Sequence, residues 1–422
     1  MTTPLTRRSF LGNTTLAGAA LAASSYFGLA QGSGKGKTLK IALIGCGGRG
    51  KGALGNCFDA CKILGIEPKL VATADAFKDK AEKTGKRYGL DSGKCFAGYD
   101  AYQKVMAGDC DLVLLATPPN FRHVHLAAAV EAGKHVFMEK PVAVDPPGVR
   151  SVIDLGQKAA TKGLGIVAGT QRRHQQGYLV NKAKIDAGAI GEIKGGVVQW
   201  NGRIPWIKTR QSGWSDTEYI TRNWLNFFEM SGDHIVEQHV HNIDVALWFL
   251  GRPPVSALGF GGRARRKTGD QFDFFSVDLD FGDGVHIHSQ CRQLAGAYSK
   301  VGEMFTGTDG ICLGGGKLKG KDVSIPEIKM DAGNPYVQEH VDLIRSIFAG
   351  EPRNEARQVA ESTLVAIMGR MSAYTGQMVR WSDVMKNKKS PFYNYTCLPK
   401  ARDFEAGPIQ LPTEAPPVPG RG

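Results

Sequence analysis

Past residue 30 the sequence has no stretch of the roughly 18 uninterrupted apolar residues that a membrane-spanning helix requires, so no helical span is expected there. Cysteine is sparse and unpatterned. The eight residues Cys46, Cys57, Cys61, Cys95, Cys110, Cys291, Cys312 and Cys397 contain no repeated C-x-x-C pair and no framework spacing. That argues against a disulfide scaffold, and the thiols read as small buried apolar side chains. Basic residues outnumber acidic ones, 53 to 40, yet they are spread out apart from "GGRARRKTG" around Arg263 to Lys267. Nucleic-acid recognition needs a clustered surface and a recognisable module. Neither is present, and this run reads as a solvated loop. No internal repeat is found.

What remains is ordinary globular material. Hydrophobic residues make up 42% and charged residues 22% of 422 positions, enough for two cores and longer than one domain usually runs. The first thirty residues stand apart. "LTRRSFLG" sets Arg7 and Arg8 before Ser9, Phe10 and Leu11, and the small-residue apolar run "TTLAGAALAASSYFGLA" ends at Ala30. This is the pattern of a twin-arginine export signal, a route for proteins that cross already folded. It points to a periplasmic or exported protein with no stable membrane insertion once the signal is removed. Residues 31–38, "QGSGKGKT", read as a flexible linker.

From residue 39 to 170, short apolar strands such as "LKIALIG", "KLVATAD", "DLVLLATP", "HVFMEK" and "LGIVAGT" alternate with helical segments. That alternation predicts a doubly wound parallel sheet of Rossmann type, covered on both faces. Residues 171–390 change character. A helix, "YLVNKAKIDAG", precedes the strand "GEIKGGVVQW"; a Trp-rich irregular segment follows to about residue 228; alternating runs with Gly-Asp-Gly turns then predict antiparallel strands, and helices return near the end. The expected fold is thus α/β, an N-terminal Rossmann domain followed by an α+β domain with an open, largely antiparallel sheet. Residues 391–422 form a tail that becomes Pro- and Gly-rich.

"IALIGCGGRG" supplies Gly45, Gly47 and Gly50 in G-x-G-x-x-G spacing between a strand and a helix. Gly45 permits the tight turn, Gly47 lets the backbone reach a pyrophosphate, and Gly50 allows close helix–strand packing. The helix start offers free N–H groups to phosphates, with Gly48 and Arg49 in the same turn. Asp75 closes the second strand, where a carboxylate accepts from ribose hydroxyls and repels a 2′-phosphate; this favours NAD over NADP. Thr117, Pro118, Asn120 and His123, in "ATPPNFRH", are expected to line the cofactor groove.

"VFMEKPVAV" ends a strand in Glu139 and Lys140 and then turns at Pro141. Ligands of a doubly wound sheet sit beyond the carboxyl ends of its strands, so both residues are expected beside the nicotinamide. There Lys140 can bind or deprotonate a substrate hydroxyl while hydride leaves. "GCGGRG", "ATPPNFRH", "EKPVA" and "GDHIVEQHVHNIDVALW" together resemble the glucose–fructose oxidoreductase/inositol dehydrogenase (Gfo/Idh/MocA) family over roughly residues 38–385. The resemblance implies a catalytic set of the EKP lysine with an Asp-x-x-x-His pair. On this chain these are Lys140 and His241, with Glu237 where the family has Asp. If Glu237 and His241 share one helix, i and i+4 lie on the same face; the longer Glu side chain puts its role in question, and Asp244 is expected to orient rather than react. The resemblance also implies a homodimer or tetramer built on the open sheet.

His234, Glu237, His239 and His241 are spaced H-x-x-E-x-H-x-H. On a helix His239 would point off the face of the other three, so no metal is expected. Arg172 and Arg173 end the sixth strand, and Arg172, Trp206, Tyr219, Arg222 and His241 are expected to contact substrate. Trp200, Trp206, Trp214 and Trp224 either stack on sugar faces or anchor a loop.

Export constrains the chemistry. Free NAD is scarce outside the cytoplasm, so the cofactor is expected to stay tightly bound and to be returned to its starting redox state. The leading reading is an NAD-dependent oxidoreductase acting on a sugar or polyol. A redox-neutral NAD-dependent glycosidase or lyase acting on a glycoside, and a non-catalytic sugar- or nucleotide-binding protein, are the alternatives.

Overall fold

The computed structural model describes residues 36–411. The expected export signal, most of the linker and the end of the tail lie outside the described residues.

The first half is a six-stranded sheet in the order β3-β2-β1-β4-β5-β6, with every pairing parallel. Its strands are β1 (Thr38–Ile44), β2 (Glu67–Asp75), β3 (Cys95–Ala97), β4 (Leu112–Leu115), β5 (His135–Met138) and β6 (Ile166–Ala168). Central β4, "LVLL", is buried along its whole length, as a strand covered on both faces must be. Helices α1 (Gly48–Ile63), α2 (Lys78–Arg87), α3 (Ala101–Met106), α4 (Pro119–Glu131) and α5 (Pro146–Thr161) supply that cover. α4 and α5 each begin with proline, whose missing N–H costs nothing in a first turn, and Asp145 caps α5 by accepting from Gly148 N at 2.9 Å.

The second half holds an eight-stranded sheet, β13-β12-β11-β7-β10-β9-β8-β14. Its strands are β7 (Ile193–Gly202), β8 (Ser256–Gly262), β9 (Phe274–Asp280), β10 (His286–Gln293), β11 (Lys300–Gly307), β12 (Ile311–Cys312), β13 (Leu318–Lys319) and β14 (Val379–Arg380). It is antiparallel except where β7 and β10 run parallel. The helices are α6 (Gln176–Asp186), α7 (Asp216–Arg222), α8 (Phe228–Ser231), α9 (His234–Glu237), α10 (Val240–Leu250), α11 (Pro335–Phe348), α12 (Ala356–Thr375), α13 (Trp381–Met385) and α14 (Ala401–Ala406).

Two packing features set the site. α12 is the hub: sixteen of its twenty residues are buried. One apolar cluster runs from Val113, Leu115 and Met138 of the parallel sheet, past Leu364 and Met368 of α12, to Val277, Ile287 and Phe305 of the second sheet. α11 lies within the second domain in sequence but returns to the first: Val337, Val341 and Ile344 share a core with Leu54, Cys57 and Phe137.

Three local expectations change. Glu237 and His241 are not on one helix, because the chain turns at Gln238 and His239 between α9 and α10. The basic run at Arg263–Lys267 is not wholly solvated: Arg266 is buried and donates to Asn226 Oδ1 at 3.0 Å and to Gln293 Oε1. The Trp-rich segment contains α7 and α8 rather than loop alone, and Trp200 sits in β7. All eight cysteines are buried and free. Among the described residues no helix is long and apolar enough to cross a membrane.

Candidate active site

The glycine turn between β1 and α1 is closed on two sides and open on the third. Gly45 has φ 96°, and a Cβ there would lie 2.5 Å from the Ala116 carbonyl carbon; one on Gly50 would lie 1.8 Å from Gly45 O. A Cβ on Gly47 would meet nothing within 4 Å. No side chain caps the start of α1, so its first N–H groups stay free for phosphate oxygens. Asp75 accepts from Cys46 N at 2.8 Å and from Phe77 N at 3.0 Å. It stitches the turn to the end of β2, and each of its oxygens keeps a further lone pair. Asp75, Phe77, Tyr99, Thr117 and Pro118 line a cleft over this turn. These residues fit a dinucleotide: a backbone open to pyrophosphate, and a carboxylate positioned for ribose.

Two of the expected groove residues lie elsewhere. Asn120 donates to Pro399 O at 3.0 Å and anchors the C-terminal segment. His123 lies against Gly148 at the start of α5, its pKa lowered by burial. The imidazole in the cleft is His125, which sequence reasoning passed over. It meets Thr117 Oγ1 at 3.3 Å, and burial pushes its pKa down to about 3.

At the end of β5, Glu139 N donates to Leu115 O at 2.9 Å, so the ladder reaches one residue past the strand. The Glu139 carboxylate sits over Gly169, where a Cβ would come within 2.5 Å of it, and pairs with Arg49 of the glycine turn. Arg49 also reaches Glu339 Oε1 of α11 at 3.4 Å and lies 5.0 Å from the centre of the Tyr336 ring. Arg49 and Glu139 therefore tie the phosphate end of the cleft to the EKP turn. Buried Arg122 holds that turn from behind, donating to Pro141 O and, at 2.6 Å, to Thr117 O. Burial lowers its pKa to about 10.

Lys140 projects from this frame. Its Nζ donates to Glu237 O and stands 3.3 Å from Glu237 Oε1. The turn after α9 presents both acceptors of one residue to the ammonium, which a continuous helix would not. His241 stacks on Trp200 of β7 at 5.7 Å with 23° between planes. Burial first, then the charges of Lys140, Arg172 and Arg49, drive the His241 pKa well below its ordinary value. Its imidazole is therefore neutral at neutral pH.

Arg172 pairs with Glu303, which also accepts from Asn242 Nδ2 at 2.7 Å and Tyr178 Oη at 3.0 Å. Its guanidinium lies 5.9 Å from the Trp200 ring, so it backs the His241 wall. Arg173 grips Asp244 with two bonds, at 2.8 and 2.9 Å. The four residues of the possible metal set diverge: His234 meets Asp233 at 2.9 Å, His239 meets Ser289 at 2.8 Å, and Glu237 meets Lys140. Among the described residues no group of three or more such side chains could hold a metal ion.

Of Trp206, Tyr219 and Arg222, Arg222 is placed away from the Lys140 end. Arg222 lies 3.7 Å from the centre of the Phe77 ring, at the end of β2. Trp206 packs edge-on to Trp224, and Tyr219 edge-on to Phe227. The ends of β2 and β5 are three strand spacings apart, about 14 Å. Arg222 thus belongs to the adenosine end of the cleft, not to the Lys140 end, because the Phe77 ring it covers lies just past β2.

An uncapped helix at a glycine turn, with an ammonium, a carboxylate and a neutral imidazole gathered two strands away, defines a dinucleotide-binding Rossmann protein whose second domain supplies one wall of the reacting end. The chain belongs to the Gfo/Idh/MocA family. Its residues 39–166 match the model described as "Oxidoreductase family, NAD-binding Rossmann fold", and residues 178–312 match the GFO/IDH/MocA C-terminal domain. It is 28% identical over 244 residues to an inositol 2-dehydrogenase of Rhizobium meliloti, covering 57% of this chain and 64% of that protein. It is 26% identical over 220 residues to the scyllo-inositol 2-dehydrogenase (NAD(+)) of Bacillus subtilis, covering 52% and 57%. The chain thus spans less than two thirds of the length of these relatives. An aldose-aldose oxidoreductase from Caulobacter crescentus, solved with glycerol, shares the fold: TM-score 0.63, 17% identity, 82% of this chain and 100% of that one.

Proposed function

We propose that the protein is an NAD-dependent dehydrogenase that moves hydride between a hydroxyl-bearing carbon of a sugar or polyol and a tightly held nicotinamide cofactor. The observation that carries this reading is the contact of Lys140 Nζ with both acceptors of Glu237, near enough to neutral His241 for its charge to act on that ring. When bound, the cofactor supplies the hydride acceptor. Lys140 holds the substrate hydroxyl oxygen as a hydrogen-bond donor. His241, neutral, offers a ring nitrogen to receive the hydroxyl proton, and Trp200 fixes the ring's tilt. Glu237 keeps the ammonium in place through its carbonyl and balances its charge through its carboxylate. Inositol 2-dehydrogenases among the relatives support a polyol or sugar substrate, and Asp75 supports NAD over NADP.

The test is a screen of inositols, free sugars and sugar alcohols against the purified protein, following absorbance in the reduced-nicotinamide band, with Lys140→Ala alongside. Turnover in the parent that vanishes in the variant is expected. Equal turnover in both would overturn the reading.

Export by residues 1–30 belongs to the same proposal, supported by Arg7 and Arg8 ahead of the small-residue run. It calls for a second, carbonyl substrate that takes the hydride back. Fractionation of native cells tests it, and activity confined to the cytoplasm would contradict it. A homo-oligomer built on the open face of the second sheet is also proposed, supported by exposed Phe260 and Met304 on that face. A monomer in light scattering would rule it out.

A further inference from the structure

The adenosine end of the cleft is not made by the Rossmann domain alone. Thr221 and Trp224, from α7 and the turn after it, line it together with Tyr99, Phe77 and Asp75. Tyr99 Oη and Thr221 Oγ1 are 2.8 Å apart across the domain boundary. Arg222 is stacked on Phe77, with its Nε donating to Glu218 Oε1 at 2.7 Å.

A second layer holds this wall in place. The C-terminal segment bonds to α7 on one side: Ile409 N donates to Thr217 Oγ1 at 2.7 Å, and Leu411 N to Asp216 Oδ2 at 3.1 Å. On the other side it is fixed to the Rossmann domain. The Phe404 ring meets those of Tyr99 at 5.3 Å and Phe121 at 5.2 Å. Tyr102 Oη lies 3.2 Å from Glu405 Oε1, and Asn120 holds Pro399 O. Phe404 is buried in these contacts. The segment lies beyond the residues matched by the family models.

We propose that Thr221 and Trp224 complete the adenosine site, and that residues 399–411 are a clasp that holds α7 over it and so sets how slowly the dinucleotide leaves. Thr217 and Phe404 are positioning residues: they touch the wall, not the ligand. The clasp gives a physical basis for tight cofactor retention and rests on the reading of the protein as an NAD enzyme. An adenosine group enclosed by both domains can leave only when α7 lifts, and lifting α7 breaks its bonds to the C-terminal segment. The ligand class is an adenosine nucleotide, with the nicotinamide end unaffected.

The experiment uses the full chain with NAD+, AMP and nicotinamide mononucleotide as probes, on the parent, Thr217→Val, Thr217→Ser and Phe404→Ala. Loss of the Thr217–Ile409 bonds is expected to speed NAD+ dissociation about tenfold and to weaken AMP by a similar factor. Nicotinamide mononucleotide affinity should stay level, and Thr217→Ser should restore the parent behaviour. Phe404→Ala should act in the same direction; if it fails to fold, Thr217→Val decides alone. A folded Thr217→Val protein that releases NAD+ and AMP as the parent does overturns the clasp and leaves the functional reading standing. A parent that binds neither NAD+ nor AMP overturns both. Altered nucleotide release in a protein that turns over no sugar or polyol overturns the functional reading alone.

Discussion

Lys140 is the residue on which the chemistry turns, and its neighbours say what replacing it should do. Lys140→Ala removes the donor to the substrate oxygen and leaves the Glu237 carboxylate unpaired in a largely closed site. A turnover loss of ~10²–10⁴ is expected, with KM for NAD+ near the parent value; a loss under tenfold would not fit. His241 sets the pH dependence. Its pKa is depressed by burial and by three nearby cations, so the neutral acceptor form persists as pH falls through the ordinary histidine range and is lost only below it. The acid limb of kcat/KM that belongs to this ring should therefore lie well below pH 6.5, and a limb centred near 6.5 would contradict the assignment. At this scale much was legible. Gly45, Gly47, Gly50, Asp75, Lys140 and His241 sit in short motifs whose spacing fixes their place on a strand end or a helix start. Glu303 and Tyr336 were not, because each acts through a partner distant in sequence and no local pattern marks it.

Elements marked by a clear apolar pattern survived. The helices α1 and α5 follow the apolar rhythm of the sequence, and β1, β4 and β5 stand out as continuous apolar runs. Three-residue β3 and four-residue α9 carry too little rhythm to read, and missing the break after α9 is what made Glu237 and His241 look like one helical face. α11 and the residue before α12 meet the turn that follows β6 through a charged knot that the sequence does not signal. His174 Nδ1 lies 2.6 Å from Asp342 Oδ2, and its Nε2 lies 3.4 Å from Glu355 Oε1. Burial alone would lower the pKa of this imidazole; Glu355 and Asp342 outweigh burial and raise it to about 10. Between pH 6.5 and 10 the folded state then binds a proton that the unfolded state does not, so stability falls as pH rises through that window. The contribution is fully present below 6.5 and lost above 10. The melting temperature of the parent should decline from pH 7 to 10, and His174→Gln should start lower and flatten the decline. An unchanged slope would remove the knot from the account.

For the molecule as a whole, the two-domain pattern was visible in the change from βα alternation to alternating strands, but the way the domains are joined was not. α11 returns to cover α1, a bridge from Asn354 extends the sheet beside Ile166, and α12 sits in one apolar cluster with strands of both sheets. These are contacts between residues far apart in sequence, set by tertiary packing rather than by any window of residues. They carry a thermodynamic consequence. Two domains joined by a polar, hydrated interface unfold independently, whereas α12 cannot leave either sheet without exposing core residues of the other. Scanning calorimetry should accordingly show one unfolding transition for the whole chain. Leu364→Ala, in the middle of α12, should destabilise by ~2–5 kcal/mol and move that single transition downward intact. If Leu364→Ala instead split the transition, leaving a Rossmann component at the parent temperature, α12 would belong to the second domain alone and the shared core would play no part in holding the cleft in register.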